Sequence, residues 1–359
     1  MQHKNRTYII AEAGVNHNGS IELAKKLIDI AVDANADAVK FQTFKSENVV
    51  SSKSPKAEYQ KRNTPSDESQ LEMIKSFELT KEEHIELFQY CKINNIDFLS
   101  SPFDEESIVL LIDELKLPII KIASGEITNA PLLLDISSRN TPVILSTGMC
   151  TLADIESALG VLALGYTSHN LSPSLENFRQ CYCSEAGQRA LKNNVTLLHC
   201  TTAYPTPFSS ANLNTLNTLK VAFGLKTGYS DHTLGIEISL AAVALGASII
   251  EKHFTLTRTL KGPDHSASLE PDELKSMINK IRNIEQAMGK GIKAPVDDEL
   301  VNSDVARKSL IASKAIKKGE LFTKDNLTIK RPGSGISPYS YWEYLGKRAK
   351  TNYDMDDLI

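Results

Sequence analysis

The chain has 359 residues, 41% of them hydrophobic, and its 40 Lys and Arg against 44 Asp and Glu leave a net charge of −4. This is enough apolar material for a large core, and the mildly acidic balance offers no general attraction to nucleic acid or an anionic membrane. The opening MQHKNRTYIIAEAG lacks the apolar run of a secretory leader, and no stretch approaches 18 uninterrupted apolar residues, which predicts a cytoplasmic protein.

Short apolar, β-branched runs recur along the chain. They are residues 7–12 (TYIIAE), 37–42 (DAVKFQ), 96–100 (IDFLS), 118–124 (PIIKIAS), 142–147 (PVILST), 195–200 (VTLLHC), 227–231 (TGYSD) and 247–254 (ASIIEKHF). Helical patterns separate them, among them SIELAKKLIDIAVDAN at 20–35, KEEHIELFQYCKINN and GIEISLAAVALG. Such runs read as parallel strands buried on both faces. Eight β/α units in about 250 residues predict an α/β fold, a (β/α)8 TIM barrel. A doubly wound open sheet is the alternative, but no GxGxxG follows the first strand. Residues 45–78 interrupt the rhythm as a polar insertion, and 166–194 as a surface excursion. The five cysteines are scattered, and CYC at 181–183 has no second pair to complete a metal site.

The barrel is expected over 1–288. Residues 289–304, charged and punctuated by Pro and Gly, read as a linker, and 305–359 as a small C-terminal domain of short strands.

In a TIM barrel the active site lies at the C-terminal strand ends. Every predicted strand here ends in polar residues: Glu12, Lys40 with Gln42, Ser101, Lys121 with Ser124 and Glu126, Ser146, Thr202 with Tyr204, Ser230 with His232, and His253. Lysines within apolar runs are costly unless paired, so Lys40 and Lys121 with their hydroxyl neighbours suggest an anion site. Lys121 is alternatively a Schiff-base lysine, as in a class I aldolase. His232 and His253 come from adjacent strands and suggest a divalent transition ion, with Asp231 or a nearby carboxylate orienting one ring. Glu12 is the candidate general base.

The motifs AEAGVNHNG (11–19), VKFQTFK (39–45), SSPFD (100–104), IKIASGE (120–126), ILSTGM (144–149), LLHCTTAYPTP (197–207), GYSDHT (228–233), IEKHFT (250–255) and GPDHSASLEP (262–271) resemble the sialic acid synthase family. The tail ARKSLIA…KKGE…KRPGSGIS resembles its antifreeze-like (SAF) domain. The resemblance implies condensation of phosphoenolpyruvate with an N-acylated mannosamine-type sugar, with loss of phosphate. It implies metal binding by His232 and His253, usually of Mn2+, with Mg2+ or Co2+ as alternatives. It places phosphoenolpyruvate on Lys40, Ser101, Lys121, Ser124, Ser146, Thr202 and Ser230, and the sugar near Gln42, Phe103, Glu126, Tyr204 and Asp264. Glu12 matches the carboxylate that handles the proton or water. Arg331 matches an arginine that reaches the acyl group across a homodimer with swapped C-terminal domains.

Thr202 stands where some N-acetylneuraminate synthases carry asparagine, and HCTTAYP is closer to legionaminic acid synthases. Two aldoses therefore stay open, N-acetylmannosamine and a 2,4-diacetamido-6-deoxy sugar. A pseudaminic acid synthase, the Lys121 aldolase and a tail acting as a mere binding module are the alternatives.

Overall fold

A computed structural model describes residues 6–56, 60, 69–168 and 170–359. The chain divides into two compact units, Met1–Gly289 and Lys290–Ile359. In the first, eight strands form one parallel sheet: β1 (Tyr8–Gly14), β2 (Ala38–Thr43), β3 (Asp97–Pro102), β4 (Ile120–Ile122), β5 (Val143–Ser146), β6 (Val195–Cys200), β7 (Lys226–Asp231) and β8 (Ile249–His253). Their order is β3-β2-β1-β8-β7-β6-β5-β4. β3 and β4 lie side by side. Among the described residues no ladder joins them, so the sheet is a barrel with one unbonded seam.

Local chemistry accounts for the helices around it. In Ile21–Asp33 the buried residues Ala24, Leu27, Ile28 and Ala31 recur at helical spacing, and the Ser20 side chain caps the start by accepting from the Leu23 amide. Lys81–Ile93 begins with a capping box in which Thr80 and Glu83 satisfy each other's backbone N–H. Helices of this kind bury the outward faces of the strands, while the inward faces meet inside the barrel.

The stretch 166–194 is more ordered than a surface excursion. It carries two helices, Leu175–Cys183 and Glu185–Asn194, packed on Leu152–Thr167. Cys181 and Leu191 anchor them, each buried. At Gly160 an added Cβ would stand 3.0 Å from the Phe178 carbonyl oxygen, so glycine permits the close helix approach. Of the 45–78 insertion, Ser46–Val49 and Gln70–Lys75 are helical and pack together. Residues 57–59 and 61–68 lie outside the described residues. All five cysteines are free. Among the described residues no helix is long and apolar enough to cross a membrane.

The second unit holds an antiparallel pair, β9 (Ser309–Ala312) and β10 (Leu327–Lys330), around a core of Leu310, Ala312, Ile316, Phe322, Leu327 and Ala349. Part of the expected linker is regular, because Asp297–Ala306 is helical. Three acidic residues open that helix, the favourable sign for its N-terminus.

Candidate active site

Strand side chains alternate between faces, so every second residue points into the barrel. One inward layer is apolar: Ile10, Ala38, Leu99, Ile144, Leu198 and Ile249 cluster there, with Ile119 packed against them. Two residues further along each of these strands the layer becomes polar. Its members are Glu12, Lys40, Ser101, Lys121, Ser146, Cys200 and Glu251, with Ser230 from β7, and all are buried. The next level carries Gly14, Gln42, Phe103, Gly148, Thr202, His232 and His253.

The polar layer is an alternating charge cluster. Lys40 Nζ lies 2.7 Å from Glu12 Oε2 and 3.7 Å from Glu251 Oε2. Lys121 Nζ lies 3.2 Å from Glu251 Oε1. Ser230 donates to Glu251 Oε1 at 2.8 Å, and Lys40 donates to Ser101 Oγ at 3.3 Å. Burial, only partly offset by Lys40, pushes the Glu12 carboxyl up to about 7. Burial also acts on Glu251, but Lys121 and Lys40 outweigh it and hold that carboxyl down to about 2. Glu12 is thus the member of the pair poised to take up or give a proton near neutral pH.

Beside the lysines is a cradle of hydroxyls. Ser124 Oγ accepts from the Gly148 amide at 3.0 Å and lies 3.1 Å from Cys200 Sγ. Ser146 Oγ is buried with no hydrogen-bond partner in the protein. A Cβ placed on Gly148 would stand 2.3 Å from Thr202 Oγ1, 2.8 Å from Ser124 Oγ and 2.9 Å from Cys200 Sγ. The hydroxyls of Ser124 and Thr202 therefore converge on bare backbone, with Ser146 opening the same turn.

One level up, the His232 and His253 rings lie 5.5 Å apart, with Tyr204 4.1 Å from the first and 5.7 Å from the second. His232 Nδ1 donates to the Thr201 carbonyl at 2.8 Å, which leaves Nε2 as the lone-pair nitrogen, 3.5 Å from Ser230 Oγ. His253 Nδ1 is buried without a hydrogen-bond partner, with Asp264 Oδ2 4.0 Å away. Burial pushes His232 down to about 4 and His253 well below the usual range, so both rings are neutral at neutral pH. Gly14 has φ +52°, and a Cβ there would stand 3.5 Å from His253 Nδ1. An orphaned buried nitrogen beside a second imidazole nitrogen that keeps its lone pair fits a divalent transition ion. Among the described residues no three His, Cys, Asp or Glu side chains form a metal cage, so an ion here would rest on two imidazoles.

A cavity of about 170 Å³ opens beside His253, lined among others by Gln42, Phe103, Tyr204 and Asp264 and by the apolar Phe44, Met73 and Phe77. Burial pushes Asp264 up to about 6. Glu126 is half-buried and accepts from Asn129 Nδ2 at 2.7 Å. A larger cavity, about 800 Å³, opens at the opposite end of the barrel and contains none of these residues.

Arg331 lies outside the barrel unit that carries these residues. It belongs to the second unit, where it is exposed and donates to the Ala306 carbonyl at 3.0 Å. Asp231 makes no hydrogen bond to either imidazole: it faces outward and accepts from Lys252, Thr233 and Ser239, while the Thr201 carbonyl holds the His232 ring. Strand alternation explains this, since Asp231 is one residue from both Ser230 and His232. Sequence reasoning missed Glu251 and Gly148. Glu251 stands two residues before His253, on the same inward face, and that spacing was the available signal.

With this geometry in place, comparisons locate the chain among known proteins. The NeuB family matches residues 27–293 and the SAF domain residues 307–354. An N,N'-diacetyllegionaminic acid synthase of Campylobacter jejuni is 54% identical over 99% of both chains. One of Legionella pneumophila is 42% identical, covering 96% of this chain and 91% of its own. The crystal structure of an N-acetylneuraminic acid (sialic acid) synthetase from Leptospira borgpetersenii, in complex with citrate, superposes with a TM-score of 0.66 at 34% identity, over 83% of this chain and 90% of that one.

Proposed function

The chain belongs to the NeuB family, and from that premise we propose that it condenses phosphoenolpyruvate with 2,4-diacetamido-2,4,6-trideoxymannose to give N,N'-diacetyllegionaminate and phosphate. Identity of 54% along 99% of both chains to a synthase of that product supports the choice of sugar. N-acetylmannosamine is the second aldose to be offered, and a pseudaminic acid precursor the third. The observation that carries the reaction type is the buried Glu12–Lys40–Glu251–Lys121 cluster beneath two neutral imidazoles.

Each residue has a part in that reading. Lys40, Lys121, Ser101 and Ser230 hold the charged groups of phosphoenolpyruvate, and Ser124, Ser146 and Thr202 supply hydroxyls around the Gly148 backbone. Gln42, Phe103, Tyr204, Glu126 and Asp264 border the space above and orient the open-chain sugar. His232 and His253 would hold a divalent cation, Mn2+ before Mg2+ or Co2+, which when bound would supply Lewis-acid polarisation of the aldehyde oxygen. C3 of phosphoenolpyruvate then bonds to the aldehyde carbon and positive charge develops at C2. Water adds at C2 as Glu12 takes its proton. The tetrahedral species expels phosphate by C–O cleavage, the C2 hydroxyl proton leaving with the phosphate, and Glu12 returns its proton to the former aldehyde oxygen. Holding both substrates in register makes the bond-forming step effectively intramolecular. The reading extends to a cytoplasmic homodimer with exchanged second units, in which Arg331 of one protomer serves the sugar bound by the other.

The test is phosphate release by chelator-stripped protein, with and without Mn2+, offering each aldose separately. Mn2+-dependent release with the diacetamido sugar alone is the expected result. Release that ignores chelators, together with borohydride trapping of pyruvate on Lys121, would replace this reading with the Schiff-base aldolase.

A further inference from the structure

Behind the two imidazoles, on the outward face of the same strands, lies a buried ion pair that the reaction does not use. Asp231 and Lys252 are register partners on the last rung of the β7–β8 ladder, and the next residue on each strand is His232 or His253. Asp231 is 1% exposed and Lys252 0%. Lys252 Nζ lies 3.0 Å from Asp231 Oδ2 and donates to the Thr233 carbonyl at 2.5 Å. Asp231 Oδ1 accepts from the Thr233 amide at 2.8 Å and its hydroxyl at 2.7 Å, and Oδ2 accepts from Ser239 Oγ at 2.6 Å. The pair therefore ties together two strands, the turn after β7 and the helix Glu237–Ala244.

We propose that Asp231 and Lys252 are positioning residues, an ionic clamp that fixes the spacing of His232 and His253 and so sets the affinity of the two-imidazole site for a divalent cation. Two facts carry this. First, the His253 ring has no hydrogen bond through Nδ1, so its placement depends on its strand. Second, a buried ion pair is a poor way to stabilise a core, since apolar residues of similar size do as well or better. A charged rung at this one position makes sense as a device that permits a single alignment of β7 on β8. With only two protein ligands available, an error in ring spacing cannot be absorbed by a third.

The clamp rests on the metal reading of the proposed function, and the experiment separates the two. Mn2+ is titrated into the chelator-stripped full chain, with free Mn2+ followed by electron paramagnetic resonance and unfolding followed in parallel with chelator present. The double variant Asp231→Leu/Lys252→Met, which leaves no lone buried charge, is expected to weaken Mn2+ binding at least tenfold while its melting point stays near the parent's. Asp231→Asn, which keeps the shape but leaves Lys252 uncompensated, should weaken it severalfold and also lower the melting point. A Kd within twofold of the parent in a folded variant overturns the clamp. If His253→Ala binds Mn2+ as the parent does, the metal reading fails and the clamp falls with it.

Discussion

Glu251→Gln gives the sharpest test of the charge cluster. The substitution keeps the shape of the side chain and removes its charge. Glu251 is the only carboxylate in an ion pair with Lys121 among the described residues, at 3.2 Å, whereas Lys40 keeps Glu12 at 2.7 Å. At an effective dielectric constant of about 20, a 3.2 Å pair is worth about 5 kcal/mol in Coulomb energy. Losing one partner of a buried pair typically costs about 3–5 kcal/mol, because the remaining charge stays desolvated. For a unit of this size each kcal/mol lowers the melting point by about 2–4 °C, so a drop of about 10 °C is expected without ligand. An anion should reverse it. With Lys121 unpaired and Ser230 freed, phosphoenolpyruvate should raise the melting point more in the variant than in the parent, through tighter binding to the folded state. Turnover should fall even so, since the lysines are no longer held in place. The assay is thermal unfolding across a phosphoenolpyruvate series, with isothermal titration for Kd. A variant as stable as the parent without ligand, or one that binds phosphoenolpyruvate tenfold more weakly, would refute the counter-charge argument.

Gly148→Ala should raise the KM for phosphoenolpyruvate tenfold or more with little change in the sugar KM, because its Cβ would sit 2.3 Å from Thr202 Oγ1; steady-state kinetics with each substrate varied decides it. Glu12→Gln should lower kcat by about 10²–10⁴-fold while Mn2+ binding is retained, and an unchanged kcat would end its role in proton transfer. Acid should destabilise the fold. Burial holds His17 down to about 4 against 6.5 when free, so protons favour the unfolded chain, and stability present above pH 6.5 is lost as pH falls toward 4. The His17 share is about 2 kcal/mol at pH 5, His265 acts in the same direction, and denaturant midpoints at pH 7.5 and 5 for parent and His17→Gln measure it; equal slopes in the two proteins would remove His17 from the account.

Much of this was legible in the sequence because strands buried on both faces leave continuous β-branched runs, and all eight runs became β1–β8. The polar layer was legible for the same reason: Lys40, Lys121 and Glu12 are anomalies inside apolar strings. Glu251 is harder to single out, because one carboxylate in IIEKH carries no sign of the two lysines it pairs with on other strands, although a period of two places it on one face with His253. Asp231 or a nearby carboxylate is expected beside an imidazole; the same period turns Asp231 away, while Asp264 Oδ2 lies 4.0 Å from His253 Nδ1. The helices at 175–194 were hidden by their polarity: only Cys181 and Leu191 are deeply anchored among the side chains they bury, too thin an apolar stripe to register against a solvent-facing background. The capping serines Ser174 and Ser184 were the signal that could have revealed them.

The apolar layer of Ile10, Ala38, Leu99, Ile144, Leu198 and Ile249 has a kinetic consequence. It closes the barrel below the charges, so the site is a blind shaft with one mouth. The lysines lie at the bottom of the shaft, while Gln42, Phe103 and the imidazoles stand one level nearer the entrance. On the proposed assignment, with phosphoenolpyruvate on the lysines and the sugar above, the shaft would impose a compulsory queue: the group at the bottom enters first and leaves last, and a sugar that arrives early acts as a stopper rather than a substrate.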